Sequence, residues 1–367
     1  MGFYAKELTA LKRSGRFRKP LAADEKTIDM ASNDYLCLAH RKKLFKRACR
    51  RVGRYGWHAP KSSLFVSGHH PIHEDFETRL KTVNGFAAAT LFGSGFLANL
   101  GLIEALVRRG DVLFLDESYH ASGMLATKTV AGDVVTFAHN DPEDLLLKLS
   151  QTPVKGRRIL AVEGIYSMEG DLLKREFFDI AEWFDMVMLV DEAHSNGVVG
   201  PRLLGVFDLY GITPQARHIK MGTLGKAYGS YGAYVLGSEE IVSFLHNRAK
   251  SLIYATAPSL FDVALAHEGF DEVARKAKKL GERLRRLRDT IFDAGYPRPQ
   301  GAIVPIEISD LSTMMAIKEQ LRARGFDVGA IRPPTVRRPM LRVILRACVK
   351  PKRYRALLEA IDEALDG

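Results

Sequence analysis

Between residues 85 and 240, short apolar runs alternate with stretches whose apolar residues recur at helical spacing. The runs at 88–92, 112–115, 134–137, 159–162, 187–190 and 233–236 are almost wholly apolar, as expected of strands covered on both faces. Helical periodicity covers 96–107, 142–149 and 176–184, with Asn140 or Asp141 placed to cap the second. Such alternation predicts an α/β fold: a mostly parallel central sheet flanked by crossover helices.

After Pro258 the pattern changes. Long charged helices run to about residue 294, followed by a strand at 303–308, a helix at 313–324, a strand at 341–345 and a last helix from Arg353. This reads as a smaller α+β unit, and the residues before 35 as a basic helix and an arm. The expected division is an N-terminal helix and arm, 1–37, a large domain, 38–257, and a C-terminal small domain, 258–367.

With 367 residues, 46% of them hydrophobic, the chain can bury a substantial core. The net charge of +11 suits an anionic partner, but its densest parts, 41–54 and 275–288, have the helical spacing of solvated faces. No nucleic-acid-binding motif accompanies them, so nucleic acid is not the expected partner. No apolar run approaches the ~20 residues that span a bilayer, and the start lacks the apolar stretch of a secretory signal, so no membrane association is expected. Cys37, Cys49 and Cys348 are odd in number and lack CxxC spacing. They suggest neither a disulfide framework nor a metal site, and a reducing, cytoplasmic setting fits.

In open α/β sheets ligands lie beyond the carboxyl ends of the strands. Gly93-Ser94-Gly95-Phe96 after the first strand offers free backbone N–H groups to a phosphate, or simply turns the chain. His120 follows the second strand, as a ring to stack on a planar ligand or as an ordinary hydrogen-bonded histidine. Glu163-Gly164 and Ser167 follow the strand at 159–162 and are equally open. Asp191-Glu192-Ala193-His194 is sharper: an apolar strand delivers a carboxylate that needs a cationic partner or a turn to cap. Gly222-Thr223-Leu224-Gly225-Lys226 places one lysine among small residues, with room for a substrate to displace it from an imine. The GxxxxGK[ST] spacing of a phosphate loop is absent. An imine lysine, an aspartate for a ring nitrogen, a stacking ring and a phosphate cup are together the set a pyridoxal 5'-phosphate enzyme uses.

In this order the motifs resemble the α-oxoamine synthases, fold-type I pyridoxal-phosphate enzymes that condense an amino acid with an acyl thioester and release carbon dioxide. The resemblance rests on Ser32-Asn33-Asp34-Tyr35-Leu36, Val66-Ser67-Gly68 with His73-Glu74, Ser94-Gly95-Phe96-Leu97-Ala98-Asn99 and His120-Ala121-Ser122. It continues through residues 163–171, Asp191-Glu192-Ala193-His194 and Lys226. It implies that Gly95, Phe96, Ser167, Thr223 and Thr256 of a second subunit surround the phosphate. His120 would stack on the ring, Asp191 pair with its nitrogen, His194 bond its hydroxyl and Lys226 hold the cofactor. Arg332, with Thr335 beside it, would receive the amino acid carboxylate, and Arg16 or Arg18 would help bind the acyl substrate. It further implies a homodimer with a shared site, and acyl-CoA or an acyl-carrier protein as co-substrate, a polyanion that the basic surface would steer. Cys37 in place of the family's glycine, Pro60-Lys61-Ser62, His69-His70 and Ser195 depart from the pattern and bear on acyl specificity. An aminotransferase would use much of the same cofactor set, so the reaction type is decided beyond these motifs.

Overall fold

The structure is a computed structural model that describes residues 2–20, 22 and 26–366. Seven strands form the central sheet: β1 Ala88–Phe92, β2 Val112–Asp116, β3 Asp133–Phe137, β4 Arg158–Glu163, β5 Val187–Asp191, β6 His218–Thr223 and β7 Ala233–Gly237. Their order is β1-β7-β6-β5-β4-β2-β3, parallel except that β7 runs against both neighbours. Six of these strands were expected from apolar runs. β6 was not, because His218 and Lys220 interrupt its pattern; the fold buries Lys220 completely and satisfies its ammonium with Asn84 Oδ1 at 2.8 Å and the Leu204 carbonyl.

The period-two geometry of a strand divides the core. Leu113, Leu115, Ile159, Ala161 and Leu189 pack on one face with Ala98 and Leu102 of the helix Gly95–Leu106. Phe114, Leu160, Val162, Met188 and Val190 pack on the other. Each such fully buried aliphatic or aromatic side chain contributes about 1.5–3 kcal/mol. Asp141, rather than Asn140, caps the helix Pro142–Gln151, accepting from Glu143 N and Asp144 N.

The long charged stretch after Pro258 is one 34-residue helix, Leu260–Asp293, packed on the helices Lys42–Val52 and Pro351–Asp366. Val263, Phe270 and Leu284 from it join the same core as Phe76 and Val190, so burial is continuous across position 258. Beyond it, β8 Ile303–Glu307, β9 Gly329–Ile331 and β10 Met340–Ile344 form an antiparallel sheet in the order β9-β10-β8. Ile28–Asp29 pairs in parallel with Phe326–Asp327, tying the N-terminal segment to this unit.

The cysteine expectation is corrected: Cys37 and Cys348 form a disulfide, their Cα atoms 6.0 Å apart. With a sequence separation of 311, spacing carried no hint of it. Tertiary contact brings them together: Ala347 N donates to Tyr35 O at 2.7 Å, and Arg346 bonds both Asp29 and Asp34. Cys37 adopts φ +57°, a left-handed value that favours the glycine it replaces. Cys49 is free and exposed.

Candidate active site

Because β7 alone is reversed, the carboxyl ends of β1, β2, β4, β5 and β6 open on one edge of the sheet. At that edge a cavity of about 180 Å³ is bordered by Gly95, Phe96, His120, Asp191, His194, Thr223 and Lys226, seven of the nine residues expected to hold a cofactor. Asn99, Glu163, Ala193 and Met221 complete its walls. Ser94 Oγ caps the helix that begins at Gly95 by accepting from Leu97 N at 3.2 Å, and the remaining free N–H groups of that first turn are of the kind that bind an anion.

Lys226 lies on a tight loop closed by Leu224 N to Gly232 O at 2.9 Å. Gly229 in that loop has φ +64°, and a Cβ there would stand 2.7 Å from Ala39 N, so the turn needs glycine. Lys226 Nζ is 2.8 Å from His194 Nε2, and His194 Nδ1 is 2.5 Å from the Tyr35 hydroxyl. Burial holds His194 well below its ordinary value, with the charges of Lys226, Arg342 and His120 acting in the same direction. Burial likewise lowers Lys226 to about 8, against the opposing fields of Asp191 and Glu163, with Arg342 helping. Below that pH the ammonium predominates and above it the nucleophilic amine. Labelling of Lys226 by an amine-reactive probe in cofactor-free protein, read by peptide mass spectrometry, should therefore rise through a midpoint near 8. A midpoint near the ~10.4 of free lysine would refute this environment.

Asp191 ends β5 almost fully buried. Asn99 Nδ2 donates to its Oδ2 at 2.8 Å and Ala193 N to its Oδ1 at 2.9 Å, and among the described residues no cation forms an ion pair with it. Asn99 is itself oriented by the Tyr119 hydroxyl at 2.9 Å, and Ser122 Oγ joins it to His120 Nδ1 at 3.0 and 2.7 Å. A buried carboxylate, a lysine amine and a helix N-terminus on one cavity fit a cationic aromatic ring that carries an aldehyde and a phosphate.

Ser167 is buried on the wall of an adjoining cleft of about 920 Å³, which shares His120 with the smaller cavity and also reaches Thr335. Thr256 is exposed and lies outside these cavities in its own chain, bridged to Ser63. Arg16 and Arg18 are exposed on the arm. Arg332 does not reach the Lys226 cavity: its guanidinium donates to the arm carbonyls of Gly15 and, at 3.0 Å, Phe17. Arg342 on β10 is buried behind Ser167, donating from Nε to Ser167 O at 2.7 Å and from Nη1 to Asn33 Oδ1 at 3.1 Å. Its charge lowers both Lys226 and His194. A lone arginine inside the apolar strand Met340–Ile344 was the signal that sequence reasoning passed over. Tyr35, Asn33 and Asn99 lay within the recognised motifs without a role.

Residues 25–361 match the family described as aminotransferase class I and II. The 8-amino-7-oxononanoate synthase of Helicobacter pylori is 39% identical over 343 residues, spanning 93% of this chain and 92% of that protein. Serine palmitoyltransferase of Sphingomonas wittichii superposes with a TM-score of 0.89 at 25% identity, covering 100% of this chain and 99% of the other. The 8-amino-7-oxononanoate synthase of Francisella tularensis shares the fold with a TM-score of 0.79 at 24% identity, over 94% and 99% of the two chains. The chain belongs to the aminotransferase class I and II family and, within it, to the α-oxoamine synthases, fold-type I enzymes that carry pyridoxal phosphate.

Proposed function

We propose that this chain condenses L-alanine with a pimeloyl thioester, releasing carbon dioxide and forming 8-amino-7-oxononanoate for biotin synthesis. The observation that carries the reading is one cavity bordered by Lys226, His194 and Asp191, with the buried Arg342 bonded to Ser167 of the adjoining cleft, in a chain 39% identical to a synthase named for that product. Three stretches are most like those synthases: residues 137–141, Gly225-Lys226 and residues 330–336.

Bound beside Asp191, pyridoxal phosphate supplies a protonated ring that draws electrons from the amino acid's α-carbon. Asp191 keeps positive charge at the ring nitrogen favourable. Lys226, poised near 8, binds the cofactor and then takes the α-proton as its free amine, with His194 at 2.8 Å to accept or return a proton. His120 would hold the ring, and Gly95, Phe96, Ser167, Thr223 and the second subunit's copy of Thr256 would hold the phosphate. Arg342 with Asn33 binds the substrate carboxylate, replacing Arg332 in that role, because a buried guanidinium offers the paired donors a carboxylate accepts. The acyl chain would lie in the 920 Å³ cleft against Met124, Met168, Val336 and Met340, with Thr335 on its wall, and Arg16 or Arg18 of the arm would help bind it.

Two copies are proposed to share the site, since Phe65, Val66 and Tyr254 beside the Ser63–Thr256 bridge are exposed apolar groups that a second chain would cover. No helix among the described residues is long and apolar enough to cross a membrane. The cytoplasm, where coenzyme A and carrier-protein thioesters are made, is the proposed location.

Purified protein incubated with pyridoxal phosphate, pimeloyl-CoA and each of alanine, glycine, serine and threonine tests the proposal by product mass. Alanine should give 8-amino-7-oxononanoate. Preference for glycine or serine would assign another reaction of the family, and a cofactor left in its amine form would mark an aminotransferase. Arg342→Lys should raise the alanine KM about 10²-fold with kcat changed far less, while Arg332→Lys stays within about threefold. The reverse ranking would return the carboxylate to Arg332.

A further inference from the structure

Glu163 ends β4 in register with Asp191 on the neighbouring parallel strand, borders the 180 Å³ cavity and is 2% exposed. The His120 backbone amide donates to its carboxyl, yet among the described residues its buried Oε1 has no hydrogen-bond partner. Asp191 already takes two donors. Two carboxylates so close in a dry site do not both ionise, and the one with fewer donors takes the proton. We propose that Glu163 acts in this cleft as a neutral acid that offers its O–H to the bound cofactor and leaves Asp191 as the charged carboxylate of the pair. Burial first, then the Asp191 charge, push Glu163 well above the carboxylate range, opposed by Lys226 and reinforced by Asp116. Arg342, Tyr35, Tyr119 and Tyr166 also lie within its field.

The inference rests on the cofactor assignment, and its test has one arm that needs no cofactor. Infrared difference spectra of cofactor-free parent and Glu163→Gln at neutral pH should show a protonated-carboxyl band that the variant lacks. Its absence overturns the proposal. In the second arm, pyridoxal phosphate binding is titrated by its absorbance. Glu163→Gln, which keeps a donor in place, should hold the dissociation constant within about threefold, and Glu163→Leu should weaken it about tenfold. Equal weakening in both variants, or none in Glu163→Leu, overturns the proposal. If Glu163→Leu does not fold, the infrared comparison alone decides. A parent that binds no pyridoxal phosphate removes the premise, and persistence of the infrared band distinguishes that failure from an ionised Glu163.

Discussion

Lys226→Ala should abolish the visible absorption band of the loaded protein and lower turnover by at least about 10³-fold, because one amine both fastens the cofactor and moves the α-proton. Two measurements check it: borohydride treatment followed by peptide mapping should no longer find cofactor attached at position 226, and single-turnover rates should fall with the band. The loss should not be a folding defect. Among the described residues the Lys226 side chain hydrogen-bonds His194, and its loop is held by the Leu224–Gly232 and Leu224–Ser230 backbone bonds, which do not involve that side chain. A Lys226→Ala protein with near-parental turnover would dismiss the whole chemical reading.

Asp191→Asn should reduce kcat/KM for the amino acid about 10³-fold, equivalent to ~4 kcal/mol of transition-state stabilisation. Asparagine preserves the size of the side chain but removes the charge that keeps the ring nitrogen protonated, so the electron sink weakens while the pocket keeps its shape. Asp191 accepts from Asn99 Nδ2 at 2.8 Å and from Ala193 N at 2.9 Å, and asparagine keeps one of these two acceptors, so thermal unfolding should shift down by about the 1–3 kcal/mol of one buried donor left unpaired. A drop of less than tenfold would show that the cleft does not depend on a charged carboxylate at this position, and would equally undercut the division of labour between Asp191 and Glu163.

Apolar runs located six of the seven central strands within a residue or two at each end, because a strand covered on both faces must be apolar throughout. They missed β6, whose Lys220 is tolerated only because Asn84, Leu204 and Glu192, from three other segments, meet its ammonium. The same limit explains Arg332 and Arg342. Position in a motif pointed to the first, while the second is recognisable only when β10 folds back beside Asn33 and Ser167.

By itself the sequence determined the alternating α/β scaffold, the lysine and the aspartate of the cofactor cleft, and the α-oxoamine synthase resemblance, since each is written in local pattern: apolar runs, a glycine-rich turn, a polar residue at a strand's end. Only the tertiary structure decided that Arg342 meets Asn33 and Ser167 while Arg332 meets the arm, that Cys37 meets Cys348, and that Glu163 stands in register with Asp191. Those outcomes depend on contacts between segments far apart in the chain, where burial and charge are set by partners that no local spacing names.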